Sequence, residues 1–85
     1  MYYVYVLKSR DKFYVGYTSD LRRRVSEHNS KSNRSSTRGR EWRLIYYEAY
    51  LSEKDARDRE RKLKQRGQSK RRLFERISDS ISKDC

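Results

Sequence analysis

The stretch YVGYTSDLRRRVSEHN, from Tyr14 to Asn29, changes its period part-way along. Up to Thr18 it is aromatic and β-branched, which predicts a strand over residues 13–18 with Phe13, Val15 and Tyr17 on one face and Tyr14, Gly16 and Thr18 on the other. A glycine inside such a run marks a place where something approaches the backbone closely. Beyond Asp20, Leu21, Val25 and His28 fall at i, i+4 and i+7, the inward stripe of a short helix. Thr18 or Ser19 is the expected cap, with Asp20 in the first turn, where a carboxylate suits the positive end of the helix dipole. Arg24 sits on the border of the stripe, three residues from Leu21 and four from His28; Arg22 and Arg23 point elsewhere.

Working outward, residues 2–7 are Val, Tyr and Leu and predict a first strand, joined to the second through the polar turn SRDK to make an antiparallel hairpin. Residues 30–41 are expected to form a mobile basic loop. WRLIYYEAY, residues 42–50, reads as a third strand. Ser52 with Asp55 resembles a capping box, and the helix it opens is expected to run to about Gln65, with Gly67 past its end. That helix is almost wholly charged: its inward candidates are Ala56 and Leu63, with Glu60 between them on the same line. Ser69 is the expected cap of a last helix carrying Leu73, Phe74, Ile77 and Ile81, and residues 79–85 are expected to fray. The order β-β-α-β-α-α defines a small α+β fold in a single domain, residues 1–85.

Composition narrows the function. The formal net charge is +11, from 23 Lys and Arg against 12 Asp and Glu, which favours a polyanionic partner, nucleic acid before all others. No amphipathic helix pairs a basic face with a broad apolar one, so a membrane surface is not expected. The one cysteine, Cys85, has no intrachain partner, and no Cys cluster offers a zinc site. The apolar run at the N-terminus is too short for a secretory or membrane segment, and an intracellular, cytoplasmic protein, associating with the nucleoid, is expected. The absence of GxxxxGK[ST] and GxGxxG patterns argues against nucleotide-driven chemistry.

Four residues stand out chemically: Tyr14 on the Gly16 face, Arg24 and His28 on one line of a helix, and Glu60 on the inward line of another. Each also has a structural explanation. Tyrosines fill thin cores, basic side chains snorkel from apolar stripes, a histidine suits a helix C-terminus, and Glu60 can pair with Lys64 at i+4. Burying a carboxylate without a partner costs several kcal/mol, and a divalent cation, completed by water and phosphate oxygens, would remove that cost at Glu60.

The ordered set Tyr3-Val4-Tyr5, Tyr14-Val15-Gly16, LRRRVSEH with Arg24 and His28, and WRLIYYEAYLSEKDARDRERKLKQR with Ala56, Glu60 and Lys64 resembles the GIY-YIG nuclease superfamily, in its small stand-alone bacterial, UPF0213-like branch. The resemblance spans residues 2 to about 74. It implies a central three-stranded antiparallel sheet flanked by about three helices, and metal-dependent hydrolysis of DNA phosphodiesters using one Mg²⁺ or Mn²⁺ ion. Carried over by position, it implies Tyr5 and Tyr14 as paired active-site tyrosines, Arg24 as the phosphate-binding arginine, His28 as the helix histidine and Glu60 as the metal ligand. Either tyrosine could serve as the base. Tyr3 replaces the family's first glycine, and the asparagine that larger members use late in the fold has no counterpart after Glu60. Arg22, Arg23, Arg34, Arg38, Arg40 and Lys64 are assigned to general nucleic-acid attraction. The expected partner is DNA, branched, flapped or damaged, ahead of RNA; a protein partner is the further option. The rival function is a non-catalytic DNA-, RNA- or partner-binding module on the same fold.

Overall fold

The aromatic and β-branched runs at the N-terminus pair as expected, and a third strand joins them. In the computed structural model, which describes residues 1–10, 12–32, 42–65 and 67–83, β1 (Tyr2–Ser9) and β2 (Lys12–Thr18) form an antiparallel hairpin. Arg10 turns the corner with φ 57°, and β3 (Arg43–Tyr50) pairs antiparallel on the other side of β1. The sheet order is β2-β1-β3. The central strand carries the core, with Val4, Tyr5, Val6 and Leu7 all 0% exposed.

Alternation divides those residues between two faces. Val4 and Val6 join Val15 on the face covered by α2 (Glu53–Lys64), α3 (Gln68–Arg76) and the residues leading into α4 (Ser78–Lys83), where Ala56, Leu63, Leu73 and Ile77 complete the core. Each large aliphatic side chain buried there contributes about 1.5–3 kcal/mol relative to exposure. A bulge strengthens this face. Between Val6 and Leu7 the register on β3 slips, Val6 facing Tyr46 but Leu7 facing Leu44, so Ile45 has no partner and both Ile45 and Tyr46 pack toward the helices. Phe13 and Phe74 add an aromatic contact, ring centroids 4.8 Å apart.

α2 is anchored at its N-terminus and again at its middle. The Ser52 hydroxyl accepts from the Asp55 N–H at 3.3 Å, as the capping signal indicated. Further along, Arg59 lays its guanidinium on Glu48 of β3, with Nε 3.0 and 3.2 Å from the two carboxylate oxygens and Nη2 3.0 Å from one. The Tyr46 and Tyr50 hydroxyls donate to the same carboxylate. Burial alone would push the Glu48 carboxyl up; the bonds from Arg59, Tyr46 and Tyr50 outweigh that and hold it below the ordinary carboxylate value.

Boundaries differ from expectation in four places. α1 (Leu21–Ser32) is capped by Asp20, whose carboxylate accepts from the Arg23 N–H at 3.1 Å; Thr18 instead braces the Asp20 N–H at 3.0 Å. Asp outcompetes the hydroxyls because its position places the carboxylate against the free N–H groups of the first turn. α1 also runs past His28 into the stretch expected to be loop, of which residues 33–41 lie outside the described residues. The helix after Gly67 starts at Gln68 without a side-chain cap, so Ser69 does not serve as one. The terminal helix breaks at Ile77 into two, and α4 covers much of the stretch expected to fray, because Ile77 is buried and Ile81 packs on the core. The chain therefore has four helices among the described residues. None is long and apolar enough to cross a membrane.

Candidate active site

The second face of the sheet is where the singled-out residues meet. Tyr5 lies directly opposite Gly16 in the β1–β2 register, and the missing side chain of that glycine is what admits the phenol: a Cβ there would stand 2.5 Å from the Tyr5 hydroxyl oxygen and 2.9 Å from the Tyr14 ring. The close approach expected at Gly16 is thus made by the tyrosines themselves. Tyr5 and Tyr14 have ring centroids 6.2 Å apart, and α1 brings His28 onto both, 4.6 Å from Tyr14 and 6.4 Å from Tyr5.

The two tyrosines are not equivalent. Tyr5 is 0% exposed and, among the described residues, its hydroxyl has no hydrogen-bond partner. Burial first, and then the neighbouring Tyr14, push its pKa up to about 12, with the nearby Arg24 guanidinium opposing and the Glu60 carboxylate adding to the rise. Tyr14 is half-buried and lines a small cleft of ≈ 150 Å³ with Arg24, Glu27 and His28. Only Tyr14 presents its phenol where a substrate can reach it.

Arg24 stands at the mouth of this cleft, its side chain 46% exposed. Its Nη1 donates to Glu27 at 3.2 Å, and Glu27 also accepts from Arg23 Nε at 3.1 Å, so one carboxylate orients two arginines. Glu27, then Tyr5, stabilise the Arg24 cation, and the two arginines in turn hold the Glu27 carboxyl below its usual value. Arg22 projects to the other side of α1, into a wider groove of ≈ 780 Å³ that also contains Tyr3, Leu44 and Tyr47. Arg34, Arg38 and Arg40 lie outside the described residues.

Glu60 comes from α2, between buried Ala56 and Leu63 as the sequence pattern predicted, with its side chain 23% exposed. Lys64 pairs with it at 3.0 Å and also places its ammonium 5.7 Å from the centroid of the Tyr14 ring. The simple i+4 ion pair is therefore present, and it ties α2 to the tyrosine face. It also supplies the cation at Glu60 that burial demands. Among the described residues no three His, Cys, Asp or Glu side chains cluster, so a metal at Glu60 would take one protein oxygen and fill its shell from water and substrate. That donor set fits a hard ion such as Mg²⁺ and not a zinc site.

Three contributors escaped the sequence reading. Trp42 packs edge-on against both Tyr14 and His28, with centroids 6.4 and 6.2 Å away, and its backbone N–H donates to the Asn29 side chain at 2.8 Å. Asn29 and Trp42 thereby tie the end of α1 to the start of β3. Glu27 was accessible from the sequence, since it follows Arg24 by three residues and Arg23 by four, helical ion-pair spacings. Trp42 offered no such local signal.

Comparison with known proteins places the chain in a family. The family described as the GIY-YIG catalytic domain matches residues 1–73. A UPF0213 protein of Streptococcus pneumoniae is 39% identical over 74 residues, covering 85% of this chain and 75% of its own length. A UPF0213 protein of Halobacterium salinarum is 42% identical over 67 residues, covering 76% of this chain and 87% of its own. The solution NMR structure of a UPF0213 protein from Bacillus halodurans superposes with a TM-score of 0.55 at 33% identity, covering 89% of this chain and 83% of that one.

Proposed function

Since this chain belongs to the GIY-YIG catalytic-domain family, a family of nucleases, we propose that it is a divalent-metal-dependent endonuclease that hydrolyses DNA phosphodiesters at branched, flapped or damaged sites. The observation that carries this reading is the packing of Tyr5, Tyr14 and His28 on one another, with Arg24 in the cleft beside Tyr14 and Glu60 linked to the Tyr14 ring through Lys64. A structural explanation of each residue alone does not require all of them to gather about one pair of tyrosines.

Each group has a part suited to its chemistry. Arg24 offers planar, permanently charged donors to the scissile phosphate, whose charge grows toward the transition state. Glu27 keeps that guanidinium aimed into the cleft. Tyr14, with His28 against its ring, orients the attacking water, and in its phenolate form, becoming the neutral phenol, takes up the water's proton; Tyr5 serves as the rigid floor that sets the position of both. Glu60 is the residue that would hold Mg²⁺ or Mn²⁺, and the ion would supply charge neutralisation at the phosphate and the leaving 3′-oxygen. Arg22, Arg23 and Lys64, with Arg34, Arg38 and Arg40, provide general attraction to the backbone.

Incubation with supercoiled plasmid and with forked duplexes, in Mg²⁺, Mn²⁺ or EDTA, tests the reading. Metal-dependent nicking that drops by at least about 100-fold in Arg24→Ala is expected. Tight binding with no metal-dependent cleavage on any substrate would instead favour the non-catalytic binding module.

A further inference from the structure

We infer that Lys64, Lys70 and Arg71 form a second backbone-phosphate subsite at the junction of α2 and α3, which carries the nucleic-acid strand away from the catalytic phosphate; this rests on the nuclease reading above. The junction encloses a cleft of ≈ 320 Å³ lined by Lys64, Gln65, Gly67, Lys70, Arg71 and Phe74. Lys64 belongs to both places. It is the residue that touches Glu60 at 3.0 Å and lies over the Tyr14 ring, so the cleft begins where the catalytic face ends.

Lys70 and Arg71 differ from the ion-paired cations of the chain. Among the described residues they share this state with Lys54, Lys62, Arg72 and Arg76, but they alone of these line a cleft with Lys64. Arg23 and Arg24 share Glu27, Arg59 is clamped on Glu48, Arg61 pairs with Asp58 and Lys83 with Asp79. Among the described residues neither Lys70 nor Arg71 has a carboxylate within ion-pairing distance, although both are exposed. Two unneutralised cations lining one cleft present it with a positive field that an anion would fill. Lys70 is also fixed in direction: its ammonium sits 5.6 Å from the Phe74 ring centroid, and Phe74 is itself packed on Phe13. An oriented lysine and a free guanidinium flanking a cleft, one residue removed from a metal-ligand candidate, fit a run of phosphates better than a single small anion. The opposite groove at Tyr3, Leu44 and Tyr47 is mainly apolar on its sheet side and does not match a phosphodiester backbone.

Fluorescence anisotropy with a labelled forked duplex in EDTA, where cleavage does not intervene, tests the subsite. Affinity is measured across about 50–200 mM salt, a range over which each neutralised phosphate contributes roughly 0.7–0.9 to the slope of log K against log salt. Lys70→Gln/Arg71→Gln should flatten the slope by about 1.4–1.8, two contacts' worth. Lys54→Gln/Lys83→Gln removes the same charge from the far end of α2 and from α4 and should flatten it by less than about 0.5. Lys70→Arg/Arg71→Lys, which keeps the charge, should retain the wild-type slope and serves as the control for folding. Equal effects of the two charge-removing pairs would overturn the subsite while leaving the nuclease reading intact. Failure of the wild type to bind or cut any nucleic acid would overturn both.

Discussion

The Tyr5 hydroxyl occupies the space that a side chain at Gly16 would need, with only 2.5 Å between the oxygen and a Cβ built there. The two residues face each other across the hairpin, so neither can retreat without disturbing the ladder. Gly16→Ala should therefore overpack the site and cost about 1–3 kcal/mol, a fall in Tm of roughly 4 °C or more for a domain of this size. Shrinking the neighbour with Tyr5→Leu should relieve part of that cost, and the double variant should lose less stability than the sum of the singles. Thermal denaturation of the three variants measures it; strict additivity would mean that the contact does not govern the fit.

Tyr5 and Tyr14 should separate cleanly under conservative substitution. Tyr14→Phe removes the accessible phenol and should lower cleavage by about 10²–10⁴-fold, the usual weight of a proton-transfer group. Tyr5→Phe removes a buried hydroxyl that makes no full hydrogen bond but lies close to the Arg24 guanidinium, so stability should change by less than about 1 kcal/mol and the rate should change far less. The pH dependence has a definite sign. Tyr5 in the folded protein ionises at about 12, above the ordinary phenol value, so its contribution to stability is complete below pH 10 and is lost as pH rises from 10 through 12. Alkaline denaturation curves should be shallower in Tyr5→Phe than in the wild type. A larger loss of activity in Tyr5→Phe than in Tyr14→Phe would reverse the assignment of roles.

Acid acts through the other face. The Glu48 carboxyl is held below its ordinary value in the folded protein, so its stabilisation is present above the unfolded-state pKa of about 4.3 and is lost as pH falls through the lower folded value. With side-chain exposures of 15% and 27%, Glu48 and Arg59 are largely shielded from solvent. Glu48→Gln should destabilise by about 2–3 kcal/mol at neutral pH, less than the roughly 3–5 kcal/mol that breaking a fully buried pair costs, because both side chains keep some solvent contact. The variant should also lose the steepening of acid denaturation below about pH 4. Urea titrations at neutral and acid pH compare the two proteins directly, and parallel pH profiles would remove Glu48 from the account.

The three consecutive arginines should respond unequally to lysine. Arg24→Lys loses the planar donors over the cleft and should slow cleavage by about 10–100-fold. Arg22→Lys and Arg23→Lys keep the charge at positions that do not line the catalytic face with Tyr14 and His28, and should stay within about threefold of wild type, as expected for contacts made through charge alone. Initial rates at fixed salt decide it, and equal losses at all three positions would dissolve the distinction.

Much of this was legible in local patterns. Alternation about Gly16 and the i, i+4, i+7 stripe from Leu21 locate the strand-to-helix junction, and the spacing of Ala56, Glu60 and Leu63 puts a carboxylate on the buried line of α2. The resemblance to a known family then named the set. Long-range placement escaped, because nothing local to Trp42 says that its ring reaches Tyr14 and His28, and nothing local to Glu48 says that Arg59 will cross from another element to meet it. The inequality of Tyr5 and Tyr14 escaped for the same reason: it depends on what α1 covers. The cap of α1 was misread by one or two residues, since Thr18, Ser19 and Asp20 are all good caps and the choice is made by the turn that precedes them.

The central claim is that Glu60 is a metal-binding carboxylate and more than the partner of Lys64. Glu60→Gln keeps the shape and a hydrogen-bond acceptor for Lys64 but removes the charge a divalent ion needs. In cleavage of a forked duplex with Mg²⁺ or Mn²⁺, this variant should fall by about 10³-fold or more, to the level of wild type in EDTA, while its Tm stays within a few degrees. Cleavage by Glu60→Gln at the wild-type rate, equally abolished by EDTA, would contradict the account.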